Sequence, residues 1–217
     1  MSDSEIDRVP KTTLDCWKAE LSEWMVPGAF RSRVDAIIRP LPRHIFFRQG
    51  GLAFLRDAWI AGKVANALSS RLVRLVPHAR PDFEVQTDMQ TNQQFEVTEA
   101  DMDGRRRGDE IDLPSLEPDP VENWRRRFEA IPAALDRVVT KKVAKDYSSD
   151  VSLVIYLNLS CYGAYTAEGL PIIRESTSAA REKFRSVFVM WEGILYKFWE
   201  DGKPATERWP IAQLDDF

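Results

Sequence analysis

The sequence predicts an α/β protein with a mixed sheet flanked by helices, and three features carry that expectation. The run VSLVIYLNL over 151–159 is continuously apolar and β-branched, as a strand buried on both faces must be. The segments Asp82–Thr87 and Gln94–Glu99 alternate apolar and polar residues, the period of a half-buried strand. Around them lie stretches whose apolar residues recur at helical spacing, so helices and strands interleave along one chain.

In chain order, residues 1–12 read as a disordered lead-in. Leu14, Trp17, Leu21 and Trp24 mark a first helix, which Pro27-Gly28 breaks. A short helix is expected over 29–38, then a strand at HIFF, 44–47, ended by Gln49-Gly50-Gly51. Leu55, Trp59, Val64, Ala65 and Leu68 place a helix over 52–69, and RLVRLV at 71–76 reads as a strand. The polar stretch DMQTNQ joins the two alternating strands as a hairpin loop. Residues 101–120, with their acids, GRRRGDE run and three prolines, read as a mobile loop. A long helix follows from Val121 to about Tyr147, kinked or restarted at Pro132. After the buried strand come a loop, CYGAYTAEGLP, and a helix over 172–184. The chain closes with a hairpin of SVFVMW and ILYKFW around Glu192-Gly193.

At 217 residues the chain fits one domain with additions: a helical extension over 1–51 packed on a core over 52–217. Hydrophobic residues make up 44% and charged residues 29%, a globular balance that disorder does not show. The net charge of -4 and pI of about 5.4 argue against a protein that coats nucleic acid nonspecifically. They leave open an enzyme that meets nucleic acid at one cleft. Cys16 and Cys161 form no CxxC pair, which excludes a zinc knuckle or thioredoxin-type site, and both read as buried free thiols. The acidic start MSDSEIDRVPKTT is unlike a signal peptide, and no apolar run reaches the ~18 residues of a membrane span, so the cytoplasm is the expected location.

The alternating strands concentrate the candidate chemistry. With a turn centred near Gln90, Glu84 falls across from Glu96 and Asp82 across from Thr98, giving one apolar face and one face with three carboxylates. Like charges across a ladder repel. Full solvation of that face relieves them, and so does a divalent cation held between carboxylates. On the long helix Ile131, Leu135, Val138 and Val139 form an apolar stripe with Lys142 in its middle and Lys141 and Lys145 at its edge. Such a lysine either snorkels to water or aims its ammonium at a polar site on the sheet.

Pro81-Asp82-Phe83 followed by Glu96-Val97-Thr98 on adjacent strands resembles the PD-(D/E)XK nuclease superfamily, the restriction-endonuclease-like fold. Thr98 stands at the position of the family's lysine. The stretch RVVTKKVAKDY before SLVIYLNL resembles the variant that carries the lysine on the following helix, with Lys142 best placed and Lys145 next. Asp57 is the one acid in the preceding helix, where the family has a glutamate. The resemblance covers roughly residues 55–160. It implies a restriction-endonuclease-like core with an N-terminal helical addition and a C-terminal β-hairpin. It also implies Asp82 and Glu96 as ligands of Mg²⁺ or Mn²⁺, Lys142 as the group that stabilises developing charge, and Glu84 or Gln94 holding an outer water. Nucleic acid, DNA ahead of RNA, is the implied partner.

Two arginine runs suit phosphate oxygens: Arg105, Arg106 and Arg107 in the loop, and Arg125, Arg126 and Arg127 at the start of the long helix. Both are flanked by acids, and surface ion pairs are the stronger competing reading. His44 and His78 lack partners at ligand spacing, Ser160 and Cys161 lack a His and Asp pattern, and no glycine-rich phosphate loop is present. Three functions stay open: a metal-dependent nuclease; a nuclease-like fold without chemistry that binds nucleic acid or protein; and an assembly protein that forms a homodimer through the edge of its aromatic C-terminal hairpin.

Overall fold

The computed structural model describes residues 8–77, 80–89, 91–102 and 120–211. They fall into two compact units, one ending at Asn92 and one beginning at Gln93.

The first unit is mainly helical: α1 (Lys11–Leu21), α2 (Pro27–Ile38), α3 (Arg43–Arg48) and α4 (Ala53–Ala67), then strands β1 (Leu72–Leu75) and β2 (Phe83–Gln86). The apolar periodicity of 14–24 does make a helix, but Pro10 fixes its entry and it stops at Leu21. Helix α4 packs on α2 and on both strands, burying Leu55, Ala58, Ala61, Val64 and Ala65. The two strands pair antiparallel with Val73 opposite Val85 and Arg74 opposite Glu84. The HIFF strand is a correction: 44–47 lie inside α3, entered through Pro42. Adjacent Ile45 and Phe46 are both buried, which an alternating strand does not allow and a helical turn does. Four apolar or aromatic residues are too few for either period to declare itself.

The second unit carries the mixed sheet. Strand β3 (Asn92–Ala100, its first residue still in the first unit) is followed by helix α5 (Val121–Val143) and strand β4 (Val151–Leu157). Then come α6 (Thr166–Ser176), a single 3₁₀ turn, and strands β5 (Ser186–Trp191), β6 (Ile194–Glu200), β7 (Lys203–Pro204) and β8 (Arg208–Pro210). Strand β4 runs parallel to β3 on one side and to β5 on the other. That central place is why its residues are buried on both faces. Strand β6 returns antiparallel on β5 through Glu192 and Gly193, both at positive φ (51° and 74°) as a tight primed turn requires. One face of the sheet is closed by α5 and α6 over a core that includes Ile131, Leu135, Val139, Leu153, Ile155, Ile173 and Trp191.

Three further expectations shift. Helix α5 ends at Val143, so Tyr147 lies in the turn beyond it, and Pro132 sits inside the helix. Helix α6 begins at Thr166 within the expected loop and runs through Pro171. Burial of Ile173 and close packing of Gly169 hold that helix despite the residue that suggested a break. Strand β6 is not an open edge, because β7 and β8 pair along it. Among the described residues no helix is long and apolar enough to cross a membrane.

Candidate active site on strand 3 and helix 5

Alternation along β3 puts Phe95 and Val97 on one face and Gln94, Glu96 and Thr98 on the other. Helix α5 lies over the Glu96 face, as a β3–α5–β4 crossover demands. Its apolar stripe brings Lys142 down onto the sheet, and the ammonium does not reach for water. Lys142 Nζ donates to Glu96 Oε1 at 2.6 Å, and the Tyr147 hydroxyl donates to the same oxygen at 2.9 Å. All three residues are buried, with 9%, 4% and 9% exposure for Lys142, Glu96 and Tyr147. The other carboxylate oxygen, Glu96 Oε2, is buried with no hydrogen-bond partner. Buried carboxylate oxygens ordinarily have a partner, so this one is an exception to explain.

The remaining candidates are distributed differently. Gln94 and Thr98 are half-buried, and Lys145 is exposed beyond the end of α5. Glu84 corrects the expectation of a wet acidic face: it is buried and accepts both Nε and Nη2 of Arg74 at 3.0 and 2.8 Å. The Arg74 guanidinium in turn stacks 4.5 Å from the Trp24 ring. Asp82 is half-buried just before β2 in the first unit, and its carbonyl accepts from the Val76 amide. Arg125 is exposed and forms the expected surface pair with Glu129, at 3.0 Å. Arg126 is exposed, while Arg127 donates to the Ser160 carbonyl and lies 5.8 Å over the Tyr162 ring. Arg105, Arg106, Arg107 and His78, with nearly all of the 101–120 loop, lie outside the described residues.

Two arrangements escaped the sequence. Tyr147 is one; no periodicity links a turn tyrosine to a strand glutamate 51 residues earlier. The other is a clasp at Glu192, whose carboxylate accepts the backbone amides of Cys161 and Gly163 and the Ser160 hydroxyl. The reading of both cysteines as buried needs correction, since Cys16 is exposed. Cys161 is buried, and burial followed by the Glu192 charge pushes its thiol up to about 11, so it stays protonated at neutral pH.

Compared with protein-family models, curated proteins and solved structures, the chain gives no match. The fold itself defines the class: an α/β protein whose mixed sheet holds a buried glutamate–lysine pair under a crossover helix.

Proposed function

We propose that this chain is a divalent-metal-dependent nuclease that hydrolyses phosphodiester bonds, with Glu96 and Lys142 at its centre. The observation that carries this reading is the buried contact of Lys142 Nζ with Glu96 Oε1 beside an unpartnered Glu96 Oε2. Thr98 leaves the strand without a cation at the family's lysine position; Lys142 supplies one to the same carboxylate from the helix.

The donor chemistry fits Mg²⁺ or Mn²⁺. These hard ions take one or two carboxylates and complete their shell with water and phosphate oxygens. Glu96 would hold the ion, and the sequence pattern nominates Asp82 as the second carboxylate. A bound ion supplies Lewis acidity to the phosphate and lowers the pKa of its water. Lys142 would face charge developing on the phosphate, and Tyr147 would keep Glu96 in one rotamer. A second reading, a binding module without chemistry, is favoured by how completely Glu96 and Lys142 are buried on each other.

The test is incubation of the protein with plasmid, single-stranded DNA and RNA in Mg²⁺, Mn²⁺ and EDTA. Cleavage is expected in either metal and not in EDTA, and Glu96→Gln, Asp82→Asn and Lys142→Met should each abolish it. Lys142→Met combined with Thr98→Lys should recover part of the rate. Wild-type cleavage by Glu96→Gln or Lys142→Met would remove the pair from the mechanism. Binding without cleavage in any metal would establish the second reading.

A further inference from the structure

A cavity of about 530 Å³ opens at the carboxyl ends of β4 and β5. That is where open α/β sheets take their ligands. Its polar lining includes Tyr156, Asn158, Glu192 and Tyr196, its apolar walls include Ile194 and Ile211, and Tyr162 stands at it with 62% exposure. Tyr196 is 5% exposed, and its hydroxyl is buried with no hydrogen-bond partner. A tyrosine hydroxyl can both donate to and accept from a ligand that reaches it. Burial raises its pKa, and Glu192 adds to the rise against an opposing effect of Arg208, so it stays protonated and able to donate.

The charges say which ligand. Among the described residues lining the cavity there is no Lys, Arg or His, and Glu192 contributes a carboxylate, so an anion is unwelcome inside. The cations lie outside it. Arg127 sits over the Tyr162 ring, and Arg126, the residue before it on α5, is exposed. The Tyr162 ring is braced by Trp124 of the same helix at 4.9 Å between centroids. The arrangement therefore offers apolar walls with the Tyr196 hydroxyl within, an aromatic ring at the rim, and a guanidinium beyond it. A neutral, flat, hydrogen-bonding ring attached to a phosphate matches each part.

We propose that this cavity takes one unpaired nucleobase, with Tyr162 stacking at its rim and Tyr196 bonding the base edge, so that the nucleic acid bound here is single-stranded at that point. The proposal rests on the nucleic-acid reading above and names its substrate class. Arg127 and Lys142 are about 22 Å apart along α5 at the rise of a helix.

The test is equilibrium binding in EDTA of a fluorescent twelve-nucleotide single strand, its blunt duplex and an abasic strand of equal length. The full-length wild type is compared with Tyr162→Ala and Tyr196→Phe. The single strand should bind wild type at least about tenfold more tightly than the duplex or the abasic strand. Tyr162→Ala should lose about tenfold for the single strand, in the range for one stacked base, and Tyr196→Phe at least about threefold. Free nucleosides should displace the strand and ribose should not. Equal binding of the abasic strand, displacement by ribose, or wild-type affinity in both variants would overturn the proposal. Cleavage of the same strands in Mg²⁺ reads the nuclease assignment separately. Base-dependent binding without cleavage sinks that assignment and leaves base capture standing; cleavage without base dependence does the reverse.

Discussion

Glu96 is a carboxylate whose two oxygens differ: one takes Lys142 and Tyr147, the other takes nothing. Its removal therefore does two things. Glu96→Ala deletes the candidate ligand and also leaves a buried ammonium without a counter-charge, which costs about 3–5 kcal/mol in comparable pairs. On a solvated acidic face the same change would relieve repulsion and hold or raise stability. Here Glu84 has Arg74 and Glu96 has Lys142, so there is no such repulsion to relieve. Loss of activity in Glu96→Ala alone would thus confuse chemistry with unfolding. A double-mutant cycle separates them. In urea unfolding, Glu96→Ala and Lys142→Met should each destabilise, and the double variant should be more stable than the sum predicts by about 1–3 kcal/mol. Additivity within ~0.5 kcal/mol would mean the two groups do not sense each other in solution. At this scale Lys142 was legible because a lysine interrupts an apolar stripe on a helical wheel. Tyr147 was not, because a turn residue has no period to betray its partner.

At the level of elements, the strands were legible where burial imposes a pattern, as in β4 and the β5–β6 hairpin. They were not where the run was short. HIFF lacks the length to show a period, and Pro171 reads as a stop although α6 runs through it. What holds α6 is a contact no local pattern reports. Gly169 faces the fully buried Trp191, whose indole N–H is fixed by the Leu159 carbonyl at 3.1 Å. A methyl added at Gly169 would land in the Trp191 ring, 2.9 Å from Cζ3 among other atoms. Helix propensity favours Ala over Gly by about 1 kcal/mol, but overpacking a core costs about 1–3 kcal/mol, and two rigid elements leave little room to yield. Gly169→Ala should therefore lower the denaturation midpoint; a raised midpoint would mean that α6 can lift from β5. The outer edge of β6 makes a second case. Its cover, β7 and β8, is short and carries Pro204 and Pro210, which blunt further pairing. A chain ended after Gly202 should expose that edge and associate with rising concentration in sedimentation velocity, whereas the full chain should not associate through it. Unchanged behaviour would show that the edge needs no cover.

For the molecule as a whole, the net charge of -4 means that its long-range field does not draw in a polyanion. Any affinity for nucleic acid has to come from a few local contacts, and those contacts are countable. Each phosphate neutralised on a single strand releases counterions and contributes about -0.7 to the slope of log affinity against log salt. If Arg125, Arg126 and Arg127 each meet a phosphate, the slope should be about -2. The Arg125 pair with Glu129 is no obstacle, because both side chains are more than half exposed and solvent screens such a pair. Arg126→Ala should flatten the slope by about 0.7 and weaken binding similarly for every sequence, since phosphate contacts carry no base information. Tyr162→Ala should instead weaken binding and leave the slope where it was, because stacking releases no counterions. A slope near -4 in the wild type would mean that Arg105, Arg106 and Arg107 join the contact as well. A slope near zero, or one that Arg126→Ala does not move, would exclude the start of α5 as a phosphate track, whatever else the cavity beside it binds.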